Sequence, residues 1–344
     1  MVNSQKAAID WSNLSFGYIP TDFNVRCTFR NGNWGPIEVS QNETINLHMA
    51  STCLHYGQEI FEGLKAFEGK DGKVRIFRLE ENARRIRLSA EGILMEPVPE
   101  ELFREMVVKV ISLNRRFVPP YGSGASLYIR PIELGISAQV GVKPSTEYVF
   151  IIFVTPVGPY FKEGFRPTNI CIMREFDRVA PKGTGQWKVG GNYAASLSAG
   201  EKAHKLGYSA VLYLDPREKK YIDECGPANF FAIKDGKYIT PASDSILPSI
   251  TNDSLMQLAR DMGIEVEARH ILVEELAYIT EAAACGTAAV ASPVAEIHDL
   301  DNDKKYIVSK DGEAGPITTE LYNRLRGIQL GDMPDLHGWN TIIE

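Results

Sequence analysis

Cysteine is sparse in this 344-residue chain and badly spaced for structural chemistry: Cys27, Cys53, Cys171, Cys225 and Cys285 are odd in number and form no C-x-x-C pair. A disulfide framework or a zinc site needs pairs at short spacing, so reduced thiols, no metal and a cytoplasmic setting are the expectation. No apolar run approaches the roughly 20 residues of a membrane helix. The stretch from Met1 to Pro20, interrupted by Asp10 and Trp11, resembles neither a secretory signal nor a transit peptide. Basic charge is also short, with 37 Lys and Arg against 44 Asp and Glu and a net charge of −7. That excludes a general nucleic-acid binder, which needs a basic stripe to neutralise phosphates. A small anion is a different matter, because a few local cations and backbone amides can hold one. Internal repeats and low-complexity tracts are absent as well.

What is present is an ordinary globular composition, 44% hydrophobic and 24% charged. The chain is longer than single cores usually grow, which predicts two domains. Leu79, Ala83, Ile86, Ala90 and Ile93 recur at helical spacing and set Arg84, Arg85 and Arg87 at different angles on one helix. A second helix is predicted over about 100–115, with Leu102, Met106, Val110 and Leu113 as one stripe and Phe103, Val107 and Ile111 as its neighbour. Residues 125–132 and 148–155 read as strands. Residues 156–167 hold three prolines and two glycines, the best candidate for a linker. The expected division is a smaller N-terminal domain over 1–157, a linker over 158–170 and a larger C-terminal domain over 171–344. In that second part a strand begins near Ile170, a helix runs over 193–206 to Gly207, and residues 209–214 and 220–224 read as paired strands. Asp235-Gly236 closes a hairpin between 229–233 and 238–240. A helix over about 253–262 follows Ser249, Thr251 and Asn252, residues suited to a helix start. The pattern is mixed α/β (α+β), without the strict alternation of a doubly wound sheet.

One segment stands out. From Pro181 to Tyr193 the chain reads Pro-Lys-Gly-Thr-Gly-Gln-Trp-Lys-Val-Gly-Gly-Asn-Tyr, so Lys188 is flanked by Gly183, Gly185, Gly190 and Gly191. Such a backbone can bend sharply and approach a ligand closely. It does not match the phosphate loop G-x-x-x-x-G-K-[ST]. By composition alone, Lys188 could equally be a solvated lysine on a glycine-rich surface loop.

Lys188-Val-Gly-Gly-Asn-Tyr193-Ala resembles the cofactor-lysine segment of branched-chain amino acid aminotransferases, in the fold-type IV class of pyridoxal-phosphate enzymes. Five further segments resemble that family in the same order. They are His55-Tyr56-Gly-Gln-Glu-Ile-Phe61-Glu-Gly-Leu-Lys-Ala-Phe67, Tyr128-Ile-Arg130-Pro131, Glu224-Cys-Gly-Pro-Ala-Asn229-Phe-Phe, Ile246-Leu-Pro-Ser-Ile250-Thr251 and Gly286-Thr287-Ala288. Together they span about 55–293, and their shared order is far more specific than any one of them.

The resemblance implies a two-domain fold with the cofactor in the interdomain cleft, a homodimer, and ping-pong transfer of an amino group. The donors would be L-leucine, L-isoleucine or L-valine and the acceptor 2-oxoglutarate, with no nucleic-acid or membrane partner. Lys188 would hold pyridoxal 5'-phosphate as a Schiff base and then carry a proton between the substrate Cα and the cofactor, which requires a neutral amine. Glu224 would pair with the pyridine nitrogen and Tyr193 with the phenolate oxygen. Arg85, rather than Arg84 or Arg87, would bind the phosphate together with Ile250, Thr251 and Thr287. Tyr56, Phe61, Tyr128 and Tyr160 would form an aromatic wall around the branched side chain, with Thr287 and Ala288 also lining the substrate site. Arg130 would hold the distal carboxylate of glutamate.

Outside the family context each of these has a plainer role: Glu224 at a strand end, Tyr193 opening a helix, Thr251 as a cap, the aromatics as core. Two departures stand out. Ala289 and Ser292 occupy the positions of a C-x-x-C pair in the mammalian members, so a redox switch of that type is not expected, and Pro227 replaces a polar residue after the Glu224 step. The rival readings are a D-amino-acid aminotransferase or aminodeoxychorismate lyase of the same fold, and an inactive relative that serves as a binding or scaffold protein.

Overall fold

The structure is a computed structural model that describes residues 5–158 and 165–343. Tyr160 and part of the expected linker lie outside the described residues. The chain divides into two compact units: Met1–Tyr160 with Trp187–Gly190 and Gly327–Glu344, and Phe161–Gln186 with Gly191–Arg326.

The described residues of the first unit form a nine-stranded sheet. Its strands are β1 (Asn24–Arg30), β2 (Asn33–Trp34), β3 (Glu38–Ser40), β4 (Glu59–Phe61), β5 (Leu64–Glu68), β6 (Val74–Phe77), β7 (Ser126–Gly135), β8 (Tyr148–Val157) and the C-terminal strand Asn340–Ile343. β7 pairs antiparallel with β8 from Ser126↔Val157 to Gly135↔Tyr148. On its other side β7 carries both β4, through Phe61↔Ile132, and β5, through Leu64↔Ile129. Strand alternation sends Leu127 and Ile129 into the core and turns Tyr128 and Arg130 to the opposite face.

Three helices belong to this unit: α1 (Thr52–Tyr56), α2 (Leu79–Gly92) and α3 (Glu100–Leu113). α2 buries Leu79, Ala83, Ile86 and Ala90, and α3 buries Phe103, Met106, Val107, Val110 and Ile111, the faces that the periodicity predicts. Each large side chain buried this way contributes about 1.5–3 kcal/mol. α3 ends at Leu113, short of Arg115, because Asn114 turns its side chain back on the helix. Its Nδ2 donates to the Val110 carbonyl at 2.7 Å and to the Phe23 carbonyl at 2.9 Å.

In the second unit another nine-stranded sheet is described, here of mixed direction. It comprises β9 (Thr168–Ile172), β10 (Leu212–Leu214), β11 (Ile222–Cys225), β12 (Ala228–Lys234), β13 (Lys237–Pro241), β14 (Val266–Arg269), β15 (Ile279–Gly286), β16 (Val290–Asp299) and β17 (Lys304–Ile307). The β13–β14 and β9–β16 pairs are parallel. The β12–β13 hairpin turns at Asp235 (φ 52°) and Gly236 (φ 75°), the two positive φ values that a two-residue hairpin requires. Ile170, Ile172, Leu212, Leu214, Phe230 and Ile297 lie in the core of this sheet.

The helix expected over 193–206 is two pieces, α4 (Gly190–Ala195) and α5 (Leu197–Lys205). They part at Ser196, whose Oγ donates to the Asn192 carbonyl at 3.0 Å, a back-bond that bends helices. α6 (Ile250–Asp261) starts earlier than expected, because Ser249 is the cap: its Oγ accepts the Asn252 amide at 3.1 Å. Thr251 therefore lies inside the first turn. A last helix, α7, covers Pro316–Leu330. The five cysteines are free thiols. Among the described residues, no helix is long and apolar enough to cross a membrane.

Candidate functional site

Lys188 lies in the second half of the sequence, yet its four-residue stretch Trp187–Gly190 groups with the first unit. The reason is backbone hydrogen bonding. The Lys188 amide donates to Ser89 Oγ on α2 at 3.0 Å, and its carbonyl accepts the Phe61 amide of β4 at 3.1 Å. Val189 forms an antiparallel bridge to Ile60. Trp187 covers Gly92, where any added Cβ would run into the indole ring. A loop tied at each of these points is not a loose glycine-rich surface loop.

The Lys188 side chain crosses the face of β4, with Nζ 4.8 Å from the centroid of the Phe61 ring. Arg130 reaches the same ring from β7, its Cζ 4.8 Å from that centroid and 5.2 Å from the centroid of Tyr128. Arg130 Nη2 donates to Tyr128 Oη at 3.0 Å, whereas its Nε is buried with no hydrogen-bond partner among the described residues. Four expected residues (Lys188, Phe61, Tyr128 and Arg130) thus meet on one face of the β4–β7 pair. Tyr56 sits at the end of α1 and is 40% exposed, with its hydroxyl donating to the Val140 carbonyl.

Of the three arginines on α2, Arg85 turns inward. Its Nε and Nη2 donate to Glu62 Oε1 and Oε2 at 2.7 and 2.9 Å, a two-pronged ion pair in which both residues are buried. Arg84 pairs with Glu81, and Arg87 with Glu91 and Glu100, toward solvent. Glu62 is not among the site residues expected from the sequence. The sequence marks it only as an acid between Phe61 and Gly63.

In the second unit Glu224 is buried on β11, opposite Asn229 of β12. Its Oε1 accepts the Leu247 amide at 2.9 Å and Asn229 Nδ2 at 3.2 Å, and its Oε2 lies 2.7 Å from Arg178 Nε. That nitrogen makes no well-aligned hydrogen bond, so the Arg178 contact is one of charge. Neither Arg178 nor Asn229 is a site residue that the sequence alone assigns. The adjacent Asp223 carboxyl is pushed up to about 6, because burial outweighs its Ser243 hydrogen bond and the nearby Arg178 charge.

Tyr193 is half-buried on α4, beside Asn192. Asn192 Nδ2 donates to the Thr184 carbonyl at 2.8 Å and its Oδ1 accepts the Thr184 hydroxyl at 2.6 Å, which secures the glycine-rich segment. Ile250 and Thr251 are buried in the first turn of α6. Amides there have no acceptor inside the helix, and the positive end of the helix dipole favours an anion. Thr287 and Ala288 occupy the turn of the β15–β16 hairpin, between Gly286 and its partner Val290. A hollow of about 420 Å³ on the first unit, lined by residues such as Arg30, His48 and Thr146, includes none of the expected residues.

Residues 59–297 match the family model described as amino-transferase class IV. The chain is 44% identical over 343 residues to a branched-chain-amino-acid aminotransferase of Haemophilus influenzae, covering 98% of this chain and 99% of that one. It is 47% identical over 334 residues to the enzyme of the same name from Helicobacter pylori, covering 96% and 97%. Among solved structures it is similar to a T.th. branched-chain amino acid aminotransferase complexed with N-(5'-phosphopyridoxyl)-L-glutamate. There the TM-score is 0.77 and the identity 28%, over 95% of this chain and 100% of that one.

Proposed function

Because the chain belongs to the class IV aminotransferases and, within them, to the branched-chain-amino-acid aminotransferases, we propose that Lys188 binds pyridoxal 5'-phosphate and serves the transfer of an amino group from L-leucine, L-isoleucine or L-valine to 2-oxoglutarate. The observation that carries this reading is the anchoring of Lys188, with its amide on Ser89, its carbonyl on Phe61, and its Nζ projecting over the Phe61 ring. The similar T.th. enzyme, solved with a phosphopyridoxyl-glutamate, supports both the cofactor and glutamate as partners.

The residues present fit that cofactor and its dicarboxylic substrate. Arg130 Nε is a buried donor without a partner among the described residues, suited to a carboxylate. Glu224 is an acid fixed by two donors and charge-balanced by Arg178. The start of α6 supplies amides for a phosphate. When bound, the cofactor supplies an electrophilic carbon for the substrate amine and a sink for the electrons left at Cα.

Glu224 would accept a hydrogen bond from the protonated ring nitrogen, and its two protein donors keep the carboxylate oriented for that bond. Tyr193 binds the ring oxygen. Arg85, Ile250, Thr251 and Thr287 bind the phosphate, with Glu62 fixing the plane of the Arg85 guanidinium. Lys188 Nζ would take the proton from the substrate Cα and pass it to the cofactor within the same half of the cycle, and in the second half would move a proton the opposite way. Phe61, Tyr128, Tyr56 and Tyr160 exclude water around the branched side chain, while Thr287 and Ala288 line the substrate's other side. Arg130 binds the distal carboxylate of glutamate. Two copies of the chain form the working dimer, in the cytoplasm.

Absorption spectroscopy tests this directly. The purified protein loaded with pyridoxal phosphate should show the visible band of lysine-bound cofactor, lose it with L-leucine and regain it with 2-oxoglutarate, while Lys188→Ala should show no such cycle. A band moved only by D-leucine would overturn the substrate, and no band after loading would overturn the reading altogether.

A further inference from the structure

Glu59 belongs to no role assigned so far, yet it shares a strand face with the substrate-side residues. On β4 it is two residues from Phe61, so alternation turns both side chains away from buried Ile60 and the core. In register, Glu59 faces Leu134 and Phe61 faces Ile132, and Arg130 continues the same face of β7. The Glu59 carboxylate lies against the backbone of Gly190, where any Cβ would collide with it. Burial raises the pKa of Glu59, while the Gly190 amide and the Arg130 charge pull it back down. The Arg130 guanidinium thus stands over the Phe61 ring, and the Glu59 carboxylate lies on the same strand face within reach of its field.

We propose that Glu59 is a specificity-determining residue, whose carboxylate shares the field of Arg130 and disfavours a second carboxylate on the substrate. A monocarboxylic 2-oxo acid with an apolar side chain meets no such charge, whereas a dicarboxylic acid must bring its distal carboxylate to Arg130 beside Glu59. The inference rests on the reading of Arg130 as the distal-carboxylate site. Glycine at position 190 is part of the arrangement, because a side chain there would occupy the space that the Glu59 carboxylate fills.

The test uses the holoenzyme and two unreactive ligands, glutarate and 4-methylpentanoate, titrated calorimetrically against wild type, Glu59→Gln, Glu59→Ser and Arg130→Ala. Removing the charge should tighten glutarate binding by roughly tenfold, the order expected for one unit charge close to another on a half-buried face. Binding of 4-methylpentanoate should stay within about twofold. The glutamine variant keeps the size of the side chain and an acceptor for Gly190, and the serine variant checks that the gain follows charge and not shape. Unchanged glutarate binding in both charge-free variants, or equal shifts for the two ligands, would overturn the proposal. If Arg130→Ala weakens glutarate while the Glu59 variants are silent, Glu59 alone is wrong. If the Glu59 variants tighten glutarate and Arg130→Ala does nothing, the Arg130 role fails, and with it the proposal that Glu59 acts by sharing the Arg130 field.

Discussion

The hydroxyl of Ser89 accepts the backbone amide of Lys188 at 3.0 Å, so helix α2 fixes the position of a residue 99 places along the chain. Ser89 and Arg85 are one helical turn apart on α2. One helix face therefore sets both the lysine proposed to hold the cofactor and the arginine proposed for the phosphate.

Ser89→Ala should leave the fold nearly intact, with a stability loss of about 1 kcal/mol for one hydrogen bond. Catalysis should suffer more, with kcat falling about tenfold to a hundredfold as Lys188 loses its register. Chemical denaturation and steady-state kinetics on the same preparation separate the two. A kcat within twofold of wild type would mean that the Phe61 bond alone suffices to hold the lysine.

The buried Arg85–Glu62 pair makes a sharper stability prediction. Glu62→Ala leaves a buried guanidinium without its carboxylate, which should cost about 3–5 kcal/mol. Glu81→Ala, which breaks the solvent-facing Arg84 pair, should cost at most about 1 kcal/mol. Urea melts of the two variants should differ accordingly, and similar midpoints would show that the buried pair carries no special weight.

Glu133 predicts an inverted pH dependence. It lies on the core side of β7, fully buried, and neither carboxylate oxygen has a hydrogen-bond partner among the described residues. Burial, reinforced by Glu96, raises its pKa well above the usual carboxylate value, so the folded chain keeps it protonated. The unfolded chain releases that proton near pH 4.5. The folded state then binds more protons, and Glu133's contribution to stability falls as pH rises from 4.5 through its folded pKa. Glu133→Leu should raise Tm more at about pH 8 than at about pH 5. A variant that stabilises equally at both would show that Glu133 is not the source of the slope.

Gly92→Ala places a methyl group against the Trp187 indole, next to Lys188. Overpacking of this kind costs about 1–3 kcal/mol, more than alanine gains in helix propensity. Tryptophan emission should shift and cofactor retention should weaken. Unaltered emission and retention would show that Trp187 can move aside without disturbing the lysine.

The parts of the fold legible in the sequence are those whose pattern is local. The stripes of α2 and α3 repeat every three or four residues, and Asp235-Gly236 announces its own turn, so these elements lie where the residues predict. Short strands buried on both faces carry no such rhythm. β5 and β6 are buried almost throughout, so no alternation marks them and the sequence alone does not predict them. The candidate site divides in the same way. Lys188, Phe61, Tyr128 and Arg130 are legible from the motifs, as is Arg85 among three neighbouring arginines. Glu62, Ser89, Arg178 and Glu59 are not, because each acts through a partner far along the chain that only the fold brings near. A glutamate among the mainly apolar residues of β7, as at Glu133, is a readable sign of a buried carboxyl that the motifs pass over.

The pairing of the C-terminal strand Asn340–Ile343 with β6 has a consequence for synthesis. On the ribosome, β6 emerges long before its partner, so the first sheet to be made is the last to be finished. Until Asn340–Ile343 has been made, the backbone of Val74–Phe77 presents an open edge to other strands. A chain that lacks Asn340–Ile343 keeps the segment that carries Lys188 and leaves that edge unpaired.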